Sequence, residues 1–430
     1  MSAPLPSGRA PAGLLRASLT LLAGGAAAQA IPLLLGPLLT RLYTPAEFGS
    51  FQLFASVAAN LAVLGCGRFE FALPLARDDA EAQALRRLAL RILVVLTLLC
   101  VPAGALWAWH ANEPWWLALP LAVASASLAS LATMWATREQ RFGDMAAARL
   151  SQHTGTTLGQ IALGWLHWGV AGLIAGGITA VLGGVALLRL PLRGLRRTTP
   201  DERALERAAA HRHREFPLLN TPHAFAGALQ DTLAVALIAA SLGPAAAGYW
   251  SLALRYLKAP ATLVGGAVSQ ALYPKLAAVS GVTLESRAMV RKVMAVLMVI
   301  ALLLAAVLTL LGPWAFAWFF GEAWREAGQL AGALALYIGV HFVAAPLAVV
   351  TMAWQAQGWA LRLALVGQVV FVGALALGLH FGGLQGAGWA VSLGMLGYFG
   401  YYFWSLARWP LDRAAAPSAA IPAASKPSSP

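Results

Sequence analysis

Long runs of apolar residues follow one another along the chain, and short polar segments separate them. Each run has about 20 residues, the length that an α-helix needs to cross the hydrocarbon core of a bilayer. The pattern therefore predicts an all-α integral membrane protein. We place twelve spans at residues 14–39, 48–67, 88–109, 115–137, 145–166, 168–190, 217–242, 246–271, 291–312, 329–353, 361–381 and 385–407.

The distribution of lysine and arginine orients these spans. If the N-terminus is cytoplasmic, 26 of the 30 basic residues fall in inner segments, and only Arg41 and Arg325 fall in outer ones. Because basic residues concentrate in cytoplasmic loops, both termini are predicted to be cytoplasmic. The net charge of +13 then indicates cytoplasmic loops that face anionic lipid. Because 59% of the residues are hydrophobic, we expect a membrane protein with no nucleic acid as partner.

The longest predicted loop, residues 191–216, is basic and lies between the sixth and seventh spans. It divides the chain into an N-terminal six-helix bundle (1–190), a cytoplasmic linker (191–216) and a C-terminal six-helix bundle (217–407). The linker stretch PDERALERAAAHRHREF has the pattern of a short amphipathic helix on the inner surface. The low-complexity tail, 408–430, is predicted to be cytoplasmic and disordered.

The two halves contain an internal repeat. The segment TPAEFGSF (44–51) recurs as GPAAAGYW (243–250), and Leu73-Pro74 recurs as Tyr273-Pro274, at offsets of 199 and 200. An even number of spans separates the copies, so the halves run in the same direction. This arrangement predicts a pseudo-two-fold axis along the membrane normal, as in transporters with parallel halves.

The eighth span carries two cations, Arg255 and Lys258, near its centre. Charge inside a membrane is costly, so it usually marks a functional site. One helical face carries the polar and small residues of this stretch: Ser251, Arg255, Lys258, Thr262, Gly265 and Ser269. We expect this face to meet an anionic partner.

Polar residues on other spans complete the candidate site. The seventh span carries Asn220, His223, Gln230 and Asp231, and the second span carries Gln52, Ser56 and Asn60.

Arg68 and Glu70 follow the second span at the inner interface, as a mouth for an anionic headgroup or as a snorkelling pair. Asp231 could face Arg255 or Lys258, either as a structural ion pair or as part of an anion or proton site. His341 is a candidate proton site or a packing residue.

Motifs of soluble catalytic sites are missing from the sequence. There is no P-loop, HExxH, CxxC or GxSxG pattern, and Cys66 and Cys100 both lie in apolar segments. We expect a transporter with no cofactor and no metal. Without an ATPase domain, its energy would come from the substrate gradient or from an H⁺ or Na⁺ gradient.

Three segments resemble a known family. LLTRLYTPAEFGSFQLFASV with RFEFALPLARDDAEAQAL, GPAAAGYWSLALRYLKAPATLVGGAVSQALYPKLA and FFGEAWREAG are similar to bacterial O-antigen and lipopolysaccharide-repeat flippases. These belong to the polysaccharide transport family of the multidrug/oligosaccharidyl-lipid/polysaccharide (MOP) exporter superfamily. The resemblance covers about residues 14–407, and Arg255 occupies the family's LAxR position.

The resemblance implies two six-helix bundles around a central cationic cavity with alternating access. It implies translocation of undecaprenyl-pyrophosphate-linked oligosaccharide across the bacterial inner membrane, with a polysaccharide polymerase and a chain-length regulator as partners. Two alternatives stay open: an ion-coupled exporter of small molecules or drugs, and a polyprenyl-sugar polymerase or ligase. An exporter of cationic drugs would favour acidic cavity residues, and an enzyme would need carboxylates in sizeable outer loops.

Overall fold

The computed structural model describes residues 30–191, 199–279 and 281–411, and this part of the chain is helical with no strand. The all-α prediction is therefore confirmed for these residues. The helices are α1 (Gly36–Leu42), α2 (Pro45–Ala62), α3 (Asp79–Ala111), α4 (Leu119–Arg138), α5 (Phe142–Trp165), α6 (Gly169–Leu187), α7 (Pro200–Arg212), α8 (Thr221–Leu242), α9 (Pro244–Leu257), α10 (Ala259–Ala277), α11 (Leu284–Phe320), α12 (Arg325–Ala333), α13 (Ala335–Ala353) and α14 (Gln357–Ala407).

Seven helices in the described ranges are long and apolar enough to cross a membrane, so the chain is a multi-pass membrane protein. They are Asp79–Ala111, Pro114–Arg138, Gly169–Leu187, Phe216–Leu242, Leu284–Phe320, Ala335–Ala353 and Gln357–Ala407. The second to twelfth predicted spans all coincide with helical segments, although not one to one. Residues 14–29 of the first span, 192–198 of the linker and 412–430 of the tail lie outside the described residues.

Helix breaks explain the differences between predicted spans and observed helices. The predicted tenth span is two helices that meet at Leu334. The eleventh and twelfth spans form one long element, α14, whose backbone leaves helical geometry at Gly382 and Gly383. The predicted continuous helix over 246–271 is wrong, because α9 ends at Leu257 and α10 begins at Ala259.

Pro260 accounts for the break at Lys258. Proline has no N–H to donate to the carbonyl of Tyr256, so the helical hydrogen-bond ladder is interrupted one turn before it. Lys258 thus caps the C-terminus of α9, and Arg255 lies in the last turn of that helix. The partial negative charge at a helix C-terminus favours cations there. The break therefore lowers the cost of placing Arg255 in an apolar setting, whereas Lys258 also stands at the N-terminus of α10, where the helix dipole disfavours a cation.

The repeated segments pack against each other at the start of α2 and α9. A Cβ atom on Gly49 would overlap the carbonyl oxygen of Pro244, and one on Gly248 would overlap the carbonyl oxygen of Pro45. The contact is reciprocal between positions related by the repeat, as a two-fold relation requires. Only glycine allows the two backbones to approach this closely.

The linker helix α7 is docked on the N-terminal part of α3 through ion pairs. Its Thr199 and Glu202 form a capping box that fixes the helix start. Glu206 pairs with Arg87 at 2.9 Å and with Arg91 at 2.6 Å, and it is only 5% exposed. Because α7 is fixed to the N-terminal half, this part of the predicted linker does not act as a free tether.

Replacing Glu206 by glutamine is expected to release α7 from α3. The change leaves Arg87 and Arg91 without their shared carboxylate, and breaking a largely buried pair costs about 3 kcal/mol. Hydrogen exchange of the α7 amides should rise by about two orders of magnitude. The control is Glu202→Gln, since Glu202 also pairs with Arg87 but its side chain is 40% exposed; its effect should be at most about fivefold. Equal exchange in the two variants would contradict the docking role of Glu206.

Candidate functional site

Arg255 and Lys258 border a cavity of about 370 Å³ between the two halves of the chain. Its wall combines α2 of the N-terminal half with α8 and α9 of the C-terminal half. The lining residues are Gln52, Asp231, Val235, Trp250, Ser251, Leu254, Arg255 and Lys258. We call it the acidic cavity after Asp231. It brings together five residues predicted from sequence, namely Gln52, Asp231, Ser251, Arg255 and Lys258.

The same two cations border a second cavity of about 210 Å³. The lining residues are Pro32, Leu33, His153, Arg255, Lys258, Ala259 and Thr262. We call it the histidine cavity. Since Arg255 and Lys258 belong to both walls, the cations lie between two spaces of different character. A ligand held by them can extend to both sides.

The face predicted to carry the cations divides at the break between α9 and α10. Ser251, Arg255, Lys258 and Thr262 line one or both cavities. Ser269, further along α10, donates from its hydroxyl to the carbonyl of Pro346 at 3.2 Å and so belongs to the contact between α10 and α13. Only the first four residues of the predicted polar face therefore line a cavity that a ligand could enter.

Lys258 lies beside a buried aromatic residue of the C-terminal half. Its Nζ is 6.0 Å from the ring centroid of Tyr337, which is 3% exposed. The ring of His341 follows at 5.8 Å from that of Tyr337. A cation over an aromatic face is stabilised by the ring quadrupole. Tyr337 thereby holds the ammonium group at the cavity wall.

Asp231 shares the acidic cavity with both cations but forms no ion pair within 4.0 Å with either of them in the part of the chain that the structure describes. Asp231 and Lys258 both act electrostatically on Tyr337, which places the three groups in one neighbourhood. A tight structural ion pair would neutralise the cations before a ligand arrived. The observed geometry instead leaves Arg255 and Lys258 exposed to a ligand.

Two predicted residues of α2 lie outside both cavities. Asn60 Nδ2 donates to Thr232 Oγ1 at 3.4 Å, and Thr232 Oγ1 donates to the carbonyl of Ser56 at 3.1 Å. Asn60 and Ser56 are 4% and 9% exposed. Both residues therefore connect α2 to α8 across the two halves, where we had expected them to meet a ligand.

Asn220 and Gln230 are likewise separate from the cations. Gln230 faces Gln368 in a cavity of about 380 Å³ between α8 and α14. Asn220 lines a further cavity of about 560 Å³ near Glu215 and Leu361. The predicted polar face of the seventh span thus spreads over three different spaces, because a helix in a bundle presents each turn to a different neighbour. The side chain of His223 lies outside the described structure.

Arg68, which is half-buried, and Glu70, which is buried, lie in the turn after α2 and line neither cavity. Arg68 has a left-handed backbone with φ of 61°, and its guanidinium lies 4.8 Å from the ring centroid of Phe71. Glu70 is 3% exposed, and Ser130 donates to it at 3.5 Å. Burial raises the pKa of Glu70, while Arg68 and Ser130 partly oppose that shift. In this structure the turn encloses Glu70 beside Ser130, and its role as a headgroup mouth stays a prediction.

Replacing Glu70 by glutamine is expected to remove a pH dependence of stability. The folded state binds the Glu70 proton more tightly than the unfolded state, so the free energy of unfolding falls as pH rises above about 4. The thermal unfolding temperature of Glu70→Gln should match the wild type near pH 4, exceed it increasingly as pH rises through the raised pKa of Glu70, and stay above it at higher pH. The exposed Glu285, changed to glutamine, is the control and should show no growing difference. A constant gap between Glu70→Gln and wild type would contradict the expectation.

Sequence reasoning missed His153 and Tyr337 as members of the site. His153 lies on α5, far from Arg255 in sequence, and no motif marks it. Tyr337 stands four residues before the candidate His341. Residues four apart share a face of a helix, so this spacing was the signal that could have identified Tyr337.

Comparisons with known proteins agree with this architecture. A family model described as "Polysaccharide biosynthesis protein" matches residues 38–329. The fold is similar to the lipid II flippase MurJ in an inward closed conformation, at 10% identity and TM-score 0.62, over 91% of this chain and 90% of that one. It is also similar to an inward-facing multidrug resistance MATE family transporter of the MOP superfamily, at 14% identity and TM-score 0.58, over 88% and 93%.

A third solved structure with this fold is a point mutant of the Vibrio cholerae MATE transporter VcmN. Identity is 15% and the TM-score is 0.54, over 92% of this chain and 95% of that one. A comparison with curated protein sequences finds no significant match. At these identities the structural neighbours establish the fold, which is that of the MATE and MurJ proteins.

Proposed function

The chain belongs to the polysaccharide biosynthesis protein family, as the resemblance predicted, and on that premise we propose that it is a flippase for lipid-linked oligosaccharides. Its substrate would be an undecaprenyl-pyrophosphate-linked repeat unit, carried from the inner to the outer leaflet of the bacterial inner membrane. The product would serve the synthesis of a surface polysaccharide, such as O-antigen, capsule or exopolysaccharide.

The observation that carries the proposal is the pair of cations between the halves. A pyrophosphate is a compact anion that needs charged hydrogen-bond donors once it leaves water. Arg255 and Lys258 border both inter-half cavities and form no ion pair with any acidic residue that the structure describes. Gln52, Asp231 and Ser251 would meet sugar hydroxyls in the acidic cavity. The polyprenyl tail would stay in lipid.

Transport would follow alternating access of two six-helix bundles, each with six of the twelve proposed spans. Binding of the substrate to Arg255 and Lys258 on the inner side would precede opening to the outer side. An H⁺ or Na⁺ gradient could supply the energy, and a polysaccharide polymerase and a chain-length regulator are the partners we expect on the product side. No bond of the substrate is broken in this scheme, so the protein would be a transporter and not an enzyme.

An ion-coupled exporter of small molecules is the second candidate, because MATE transporters share the fold. Asp231 in the acidic cavity is the one observation that favours it. Two cations in the same wall would repel a cationic drug, so the flippase remains the better fit. A polymerase or ligase of polyprenyl-linked sugars is the third and has no such observation in its favour.

Purified protein in liposomes tests the proposal. A fluorescent oligosaccharide linked to undecaprenyl pyrophosphate is placed in both leaflets, and a membrane-impermeant reductant quenches the outer fraction. Flipping predicts nearly complete quenching with the protein and about half without it. A cationic dye assayed in the same liposomes should not be transported. If quenching of the oligosaccharide stops at about half while the cationic dye is exported, the flippase proposal is wrong and the protein is an exporter of small molecules.

A further inference from the structure

The two cavities that share Arg255 and Lys258 differ in the rest of their walls. The acidic cavity adds polar groups, including the hydroxyl of Ser251, which is buried without a partner in the described structure. The histidine cavity adds the imidazole of His153 next to apolar groups such as Pro32 and Leu33, and none of the described residues that line it carries a carboxylate. The acidic cavity therefore suits the hydroxyl groups of a sugar, and the histidine cavity suits an anionic group that is attached to a hydrocarbon chain.

We infer that His153 is a third ligand of the substrate's pyrophosphate, and that the cations divide the substrate between the two cavities. The pyrophosphate and the first isoprene carbons would occupy the histidine cavity, and the first sugar would occupy the acidic cavity. This assignment rests on the proposed function, since it concerns the same substrate.

Size supports this division. A volume of about 210 Å³ corresponds to roughly seven water molecules in the liquid, at about 30 Å³ each. That is enough for a diphosphate group and too little for an oligosaccharide. The acidic cavity, at about 370 Å³, corresponds to roughly twelve water molecules, which is ample for one hexose.

Charge supports the role of His153. Its imidazole interacts electrostatically with Arg255 and with Arg149, and its ring makes no hydrogen bond within the described part of the chain. A ring N–H is therefore free to donate to a phosphate oxygen. An anion beside His153 and Arg255 would also offset the positive potential that the two arginines place on the imidazole.

The position of His153 means that a pyrophosphate bound to it and to the two cations would contact both halves of the chain. His153 belongs to α5 in the N-terminal half, whereas Arg255 and Lys258 belong to the C-terminal half. A pyrophosphate held by all three would connect the halves directly. Substrate binding would thereby favour the conformation in which α5 and α9 are close together.

Binding to the purified full-length protein in nanodiscs tests this assignment with two probes. One is undecaprenyl pyrophosphate without sugar, and the other carries a single N-acetylglucosamine. His153→Phe keeps a ring but loses the donor, and should weaken both probes about tenfold. His153→Gln keeps an N–H donor and should recover most of the loss. Gln52→Ala, in the acidic cavity, should weaken only the probe that carries sugar.

The outcomes separate this inference from the function on which it rests. If the wild type binds undecaprenyl pyrophosphate no better than undecaprenol, the proposed function is wrong, and the assignment of His153 as a pyrophosphate ligand is wrong as well. If the wild type binds both probes but His153→Phe, with an unchanged unfolding temperature, binds them equally well, His153 is not a ligand. If Gln52→Ala weakens the sugar-free probe as strongly as the other, the division between the cavities is wrong.

Discussion

Replacing Arg255 by alanine is expected to lower the rate of flipping by at least about thirtyfold. Arg255 contributes to both inter-half cavities, so its loss affects the substrate wherever the pyrophosphate sits. Removing one member of a desolvated, hydrogen-bonded charge pair costs about 2–5 kcal/mol, and each 1.4 kcal/mol is a factor of ten. The rate of quenching in liposomes that contain equal amounts of protein measures the effect.

Graded variants distinguish the role of charge from that of shape. Arg255→Lys keeps the charge and loses the planar fork, so its activity should fall between the wild type and Arg255→Ala. Lys258→Ala should cost about tenfold, and the double alanine variant should be inactive. Arg325→Ala is the matched control, because it removes an exposed cation that pairs with Glu322 outside the cavities. Full flipping by the double variant at normal expression would show that the site assignment is wrong.

Replacing Gly49 or Gly248 by leucine is expected to destabilise the protein strongly. In both cases the new Cβ alone would overlap a backbone carbonyl of the opposite half, Pro244 or Pro45. A backbone cannot move aside as a flexible side chain can. Overpacking typically costs about 1–3 kcal/mol, and a branched side chain between two helices belongs at or above the upper end of that range. The unfolding temperature of the purified protein measures the loss.

A second glycine provides the control for this expectation. Gly177, inside α6, has open space where a Cβ would be. Gly177→Ala should therefore raise the unfolding temperature slightly, because alanine favours the helix by about 1 kcal/mol over glycine. Gly49→Ala should lower it. If the two alanine variants shift the unfolding temperature in the same direction, the contact between α2 and α9 does not contribute to stability as we expect.

The contact at Gly49 also bears on the transport cycle that we propose. The segments before α2 and α9 lie on the predicted outer side of the membrane, so their close packing would close the cavities on that side. Release of a substrate outwards would require Pro45 and Pro244 to separate. We therefore expect Gly49→Ala to shift the protein away from the conformation described here, towards one that is open outwards.

The helical class and the approximate positions of the apolar segments followed from the sequence, whereas the count of twelve spans stays a prediction and the breaks at Lys258 and Leu334 did not follow from it. The requirement that about 20 apolar residues cross a bilayer leaves few alternatives, and α3, α6 and α11 lie where the hydropathy pattern places them. The cations of the eighth span were also evident, since charge is rare in such segments. The repeat at offset 199 pointed to the positions where Gly49 and Gly248 meet.

The tertiary structure decided which polar residues share a space. Ser56 and Asn60 have the same spacing as cavity residues, yet they face Thr232 across a helix contact. His153 has no sequence signal, yet it lines a cavity with Arg255. Helical periodicity determines which residues share a face of one helix, but only packing determines what that face meets. For this protein, the sequence determined the helices and their cations, and the arrangement of α2, α5, α8 and α9 around Lys258 determined the site.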